Sequence, residues 1–140
     1  MRFVLDNSVV MRWLFSDGEQ AAIDYSNRIL DLLAQEENSA VVPCVWALEV
    51  GNVIVRAEAK GLLQEARSAA FLGILQNMAI ETDSRANKQA LGDTLQLARR
   101  YKLSTYDASY LELALREGLA LATNDDALRK ALASAGGSLA

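Results

Sequence analysis

The sequence predicts a layered α/β fold with a mainly parallel central sheet flanked by helices. Three observations carry that expectation. Four short apolar runs, at residues 3–5, 40–42, 78–80 and 119–123, read as buried strands. The stretches between them carry apolar residues at helical spacing, and strands alternating with helices build parallel sheets. The chain has 140 residues, 51% of them apolar, with 8 Gly and one Pro. That describes one helix-rich domain over residues 1–140, long enough to bury roughly two-thirds of its unfolded surface.

Taken in order, Phe3-Val4-Leu5 is a strand that ends in a polar turn at Asp6-Asn7-Ser8. After Asp17-Gly18, the positions Ile23, Leu30 and Leu33 mark a helix to about Gln35. Ala40-Val41-Val42 is a second strand, stopped by Pro43. From Val45 a helix runs toward Gly61 with Trp46, Val50, Val53, Ile54 and Ala57 on one face. Residues 63–76 are helical, with Ala66, Ala70, Phe71 and Leu75 recurring, and Met78-Ala79-Ile80 is a third strand. One helix is expected over residues 85–101 and another over 105–116. A fourth strand at 119–123 and a helix over 126–133 complete the core, and residues 136–140 either fray or add an edge strand.

Composition excludes whole classes of chemistry. There is no histidine, and Cys44 is the only cysteine. No internal disulfide, no Cys/His zinc site and no imidazole base is available. The formal charge is −4 and the isoelectric point about 4.8, which argues against a module that coats nucleic acid by phosphate neutralisation alone. Acidity leaves room for an enzyme whose bound metal supplies the positive charge. Arg2, Asp6 and Arg12 make the first fifteen residues a poor signal peptide, and no apolar run approaches the ~18 residues that cross a bilayer. A cytoplasmic protein with no membrane contact is expected. No Gly-x-Gly-x-x-Gly or phosphate-loop lysine motif is present.

Four carboxylates remain to be explained. Parallel sheets bind ligands beyond the carboxyl ends of their strands, where Asp6 and Thr123-Asn124-Asp125 stand. Asp6 alone could be an ordinary turn residue. Glu49 falls about 80° from the centre of its helix's apolar face, at the shoulder, with no Lys or Arg three or four residues away. Asp107 could be a first-turn acid capped by Ser104 or Thr105. Asp125 could cap the last helix or pair with Arg129, and Asp126 beside it is the alternative for either role. Together the four can meet on one rim of the sheet. Like charges 4 Å apart repel by about 4 kcal/mol at an effective dielectric of 20, so such a cluster calls for protons or cations. An oxygen-only donor set suits Mg²⁺ or Mn²⁺.

Four blocks of sequence, Phe3-Val4-Leu5-Asp6-Asn7-Ser8-Val9, Trp46-Ala47-Leu48-Glu49-Val50-Gly51-Asn52, Leu103-Ser104-Thr105-Tyr106-Asp107-Ala108-Ser109-Tyr110-Leu111 and Leu121-Ala122-Thr123-Asn124-Asp125, occur in this order. They resemble the successive blocks of PIN-domain ribonucleases, and within these the VapC toxins of toxin–antitoxin pairs. The resemblance extends from residue 3 to about residue 133. It implies a PIN-like three-layer fold and RNA cleavage at a Mg²⁺ or Mn²⁺ site held by Asp6, Glu49, Asp107 and Asp125. It further implies that Asn7 or Ser8, Thr123 and Asn124 orient the acids or the substrate. A small cognate antitoxin and a homodimer are the expected partners, with the helices around residues 46–57 and 63–75 as candidate walls of an apolar groove. Arg12, Arg99, Arg100 and Lys102 are candidates for holding substrate phosphates. Two other functions compete: a non-catalytic PIN-like interaction module, and a phosphotransferase with Asp6 as nucleophile. The latter wants a second carboxylate at position 8, which is Ser.

Overall fold

The computed structural model describes residues 1–140. Four parallel strands form one sheet in the order β3-β2-β1-β4: β1 Arg2–Leu5, β2 Ser39–Val42, β3 Ile80–Thr82 and β4 Ala120–Ala122. Registers such as Val4 with Val41 and Leu5 with Ala122 fix β1 at the centre. Helices bury both faces of the sheet, which is why β1 and β2 read as continuous apolar runs rather than alternating ones. Phe3, Leu5, Ala40, Val42 and Ala122 face one core, and Val4, Val41 and Leu121 face the other.

The first core is covered by α1 Asn7–Leu14, α2 Gln20–Leu33, α3 Val45–Ala59 and α4 Glu65–Gln76. On the second lie α6 Asp93–Tyr101, α7 Thr105–Glu117 and α8 Asp126–Ser134, joined to β3 through the short α5 Ala86–Gln89. The result is the expected three-layer arrangement. No helix is long and apolar enough to cross a membrane.

Several local expectations are corrected. Asp6-Asn7-Ser8 is no isolated turn: α1 starts at Asn7, with Asp6 in the extended capping position. Val9, Val10 and Leu14 bury its inner face, a helical spacing that the polar start obscures. The third strand lies two residues later than its apolar run, at Ile-Glu-Thr. As an edge strand it is held by backbone pairing to β2 and leaves Glu81 and Thr82 exposed, so hydrophobicity does not mark it. In α4 the inward residues are Ser68, Phe71 and Leu75, while Ala66 and Ala70 face out. The helix expected over 85–101 is two helices, broken at Gly92 (φ −108°, ψ −107°), and Leu91 is left 87% exposed. Of the two options for residues 136–140, the edge pairing is the one adopted: Leu139 bridges Leu121 in parallel.

Candidate metal centre

The carboxyl end of the sheet gathers the sequence-predicted acids. Asp6 follows β1, and Thr123-Asn124-Asp125 follow β4, its immediate neighbour. The backbone amide of Asp6 donates to the Ala122 carbonyl at 2.9 Å, so the ladder carries these two segments side by side. Glu49 stands early in α3, which follows β2, and Asp107 lies in the first turn of α7.

Asp6 is 4% exposed and still surrounded by donors. Ser8 Oγ donates to its Oδ2 at 2.6 Å and Thr123 Oγ1 to the same oxygen at 2.7 Å. Each hydroxyl has a single proton to give. Both protons therefore point at Asp6, and the 3.3 Å approach of Ser8 to Thr123 is a contact between acceptors. As acceptors, Ser8 Oγ takes the Asn124 amide (2.9 Å) and Thr123 Oγ1 takes the Asp125 amide (3.0 Å). Two hydroxyls thus lock the loop after β4 onto the carboxylate after β1, and Oδ1 of Asp6 receives no side-chain donor. The Asn124 side chain extends the clasp to α2 by donating to Ser26 Oγ at 2.8 Å. Asn7 differs from Ser8: it reaches Asp6 through its backbone, while its buried Oδ1 has no hydrogen-bond partner.

Glu49 is half-buried, as its place at the shoulder of the apolar face requires, and Oε1 accepts the Tyr110 hydroxyl at 2.6 Å. Tyr110 is fully buried in α7. Burial, then the charge of Asp6, then the bond to Glu49 push its hydroxyl far above its ordinary range, so it only donates. Sequence reasoning passed over Tyr110. A polar-tipped aromatic one helical turn from Asp107 was the available signal. Asp107 lies under a helix cap and Asp125 supplies one. The Ser104 hydroxyl accepts the Asp107 amide at 3.1 Å, and Asp125 Oδ1 accepts the Leu128 amide at 2.8 Å.

Three of the acids titrate upward from ordinary carboxylates. For Asp6 burial dominates, opposed by Ser8, Thr123 and the Asn7 amide and reinforced by the charge of Asp125. Burial also leads for Glu49, with Asp6 and Asp107 adding and Tyr110 opposing. Asp107 rises through burial and then the charges of Asp6 and Asp125, against Ser104. The four acids therefore share one electrostatic field. They do not close into a tight ligand ring: no three of the chain's Asp, Glu and Cys side chains group at direct metal-ligation spacing. Such an all-oxygen, mutually repelling set fits a hydrated divalent ion. Mg²⁺ in particular keeps several waters and takes only one or two carboxylates directly.

The other candidates fall outside this cluster. Asp126 is exposed. Arg12 pairs with Asp17 at 2.6 Å. Arg100 lies 5.6 Å from the Tyr101 ring and borders the groove between α6 and α7, while Arg99 and Lys102 are exposed. On the opposite flank, an apolar cavity of about 250 Å³ lies between α3, α4 and β3, lined by Trp46, Val50, Leu72, Leu75 and Ile80.

A family model described as PIN domain matches residues 3–132. Among solved structures the chain is similar to PAE2754 from Pyrobaculum aerophilum, at 23% identity and a TM-score of 0.65, over 99% of this chain and 83% of that one. It is also similar to FitAcB from Neisseria gonorrhoeae, at 16% identity and a TM-score of 0.60, over 99% of this chain and 96% of that one. At these identities the likeness is one of fold. No curated protein matches the chain.

Proposed function

The chain belongs to the PIN domain family, whose members are generally nucleases, and from that premise we propose that it is a metal-dependent endoribonuclease. In this reading it is a cytoplasmic VapC-like toxin that cuts RNA and is silenced by a small cognate antitoxin. One observation carries the proposal. A carboxylate buried at the end of the central strand, Asp6, is clasped by two hydroxyls and shares its field with Glu49, Asp107 and Asp125. Without a cation this arrangement opposes its own charge.

Asp6, Glu49, Asp107 and Asp125 would hold Mg²⁺ or Mn²⁺, directly or through water. Such an ion supplies Lewis-acid stabilisation of the scissile phosphate and a water of lowered pKa. The chain supplies the rest. Ser8 and Thr123 would fix the Asp6 plane through two bonds to one oxygen, and Tyr110 would hold Glu49 through a single bond. The cap bonds of Ser104 and Asp125 anchor the first turns of α7 and α8. With no histidine in the chain, proton transfer falls to water and the carboxylates. The apolar cavity at Trp46 and Leu75, with exposed Leu48, Leu72 and Ile74 near it in sequence, is a surface that an amphipathic antitoxin segment or a second copy would cover. An arginine from the antitoxin would plug the acidic site, since its planar fork can bridge two carboxylates.

The direct test is cleavage of a labelled single-stranded RNA by the full chain, with Mg²⁺ or Mn²⁺ and with chelator. Each of Asp6→Asn, Glu49→Gln, Asp107→Asn and Asp125→Asn is expected to lower the rate roughly a thousandfold, the loss of several kcal/mol in the transition state. Full activity in two of the four, or activity in chelator, contradicts the assignment.

A further inference from the structure

Asp125 and Arg129 stand four residues apart at the start of α8, the spacing of a helical ion pair, yet they do not pair. Asp125 Oδ1 takes the Leu128 amide. The Arg129 side chain instead donates through Nε to the Thr123 carbonyl at 2.7 Å, with its guanidinium 4.7 Å from the Tyr25 ring centre. The Arg28 guanidinium lies 5.5 Å from the same ring. Tyr25 is buried, and its hydroxyl donates to the Ala140 oxygen at 3.0 Å, so the ring is a fixed platform. Neither arginine joins the chain's ion pairs, which gather on Arg2, Arg12 and Arg116. The Nη groups of Arg129 and the whole Arg28 guanidinium make no hydrogen bond.

These groups border a cavity of about 510 Å³ that Asn124 also lines. Thr123 joins the two sites: its hydroxyl holds Asp6 and its carbonyl holds Arg129. Burial raises the Tyr25 phenol; the Thr123 backbone, Arg129 and Arg28 oppose, and the charge of Asp6 adds to the rise. We propose that Arg129 and Arg28, mounted on Tyr25, seat a backbone phosphodiester of the RNA strand next to the Asp6 site. A guanidinium fixed by Nε and by stacking presents its two Nη groups as a ready fork for phosphate oxygens. Glu19, Asp24 and Asp126 border the same cavity beyond ion-pair distance of either arginine. They repel a free anion, so the seat acts on a phosphate that the rest of the strand delivers. The inference deepens the ribonuclease reading and rests on it.

The test uses the full chain, a fluorescent single-stranded RNA, and the variants Arg28→Gln, Arg129→Gln and Arg129→Lys. Anisotropy in chelator reads binding against salt, and cleavage in Mg²⁺ or Mn²⁺ reads KM and kcat. Each Gln variant is expected to weaken binding about fivefold, roughly 1 kcal/mol. Each should also lower the log–log salt slope by about 0.7, the value for one single-strand phosphate contact. The loss in cleavage is expected in KM rather than kcat, and Arg129→Lys should keep the salt slope. Unchanged slope and KM in both Gln variants overturn the seat while leaving a nuclease that still cuts. An RNA that binds with the expected slopes but is never cut overturns the nuclease reading and leaves the seat. If Arg129→Gln fails to fold, Arg28→Gln decides, because Arg28 is exposed and makes no hydrogen bond.

Discussion

Replacing Tyr110 with Phe removes one oxygen from the site and nothing from the core. The ring is fully buried beside Leu111 and Leu113 and stays packed in the variant. What is lost is a 2.6 Å bond to Glu49 Oε1. Hydrogen bonds to charged groups contribute about 1.5–3 kcal/mol. Glu49 is half-exposed and water replaces part of the bond, which brings the figure to about 1.5 kcal/mol and a fall of about 5 °C in melting temperature. The pH dependence carries the sharper test. The Tyr110 bond lowers the Glu49 pKa against burial, Asp6 and Asp107, so it favours the ionised form. Its contribution is therefore full only above the raised value that Glu49 has in the folded protein, and it shrinks as pH falls through that value and Glu49 takes a proton. Thermal unfolding of both proteins in chelator at pH 4 and pH 7.5 measures this. The gap between wild type and Tyr110→Phe should be wider at pH 7.5, and RNA cleavage by the variant should drop about tenfold as Glu49 loses its fixed rotamer. An equal gap at the two pH values would refute the idea that the hydroxyl serves an ionised Glu49.

Two further changes separate site from scaffold. Asp107→Asn relieves repulsion from Asp6 and Asp125. It forfeits a first-turn charge worth about 0.5 kcal/mol, so in metal-free buffer at pH 7 its melting temperature should equal or slightly exceed wild type. The raised Asp107 pKa means that this relief fades as pH falls toward 3.8, whereas Ser104→Ala should lose about 1 kcal/mol at pH 7. Arg116→Leu strands Glu112, which is 4% exposed and paired to Arg116 at 2.6 Å. Removing one partner of a buried pair costs about 3 kcal/mol, so a fall in melting temperature near 10 °C is expected by calorimetry, and a fall under 3 °C would show that water already reaches Glu112.

The sheet was legible because β1 and β2 are buried on both faces and carry nothing but apolar residues between their ends. The places of the acids in the fold were legible too: Asp6 and Asp125 follow β1 and β4, and Glu49 and Asp107 stand early in α3 and α7. Where the reading failed, tertiary context had replaced local pattern. The edge strand β3 needs no apolar residues, and the Gly92 break sits inside an otherwise helical run. The roles of Ser8 and Thr123 came from family resemblance rather than spacing, since 115 residues separate two hydroxyls that meet on one oxygen. Glu49 and Tyr110 are likewise joined across 61 residues. Asp125 is the clearest case: of its two expected roles, helix cap and ion pair with Arg129, the structure takes the cap. The spacing is right, but the Leu128 amide claims the carboxylate and the Thr123 carbonyl and Tyr25 ring claim the arginine.

The central claim is that Asp6, Glu49, Asp107 and Asp125 hold a divalent cation between them. Binding of Mn²⁺ to the metal-free protein, followed by the loss of the free-ion signal in electron paramagnetic resonance, tests it without reference to catalysis. Saturable binding by the wild-type chain is expected, with affinity falling at least tenfold in Asp6→Asn and again in Asp125→Asn, both still folded. Equal affinity in wild type and Asp6→Asn would place the ion elsewhere and contradict it.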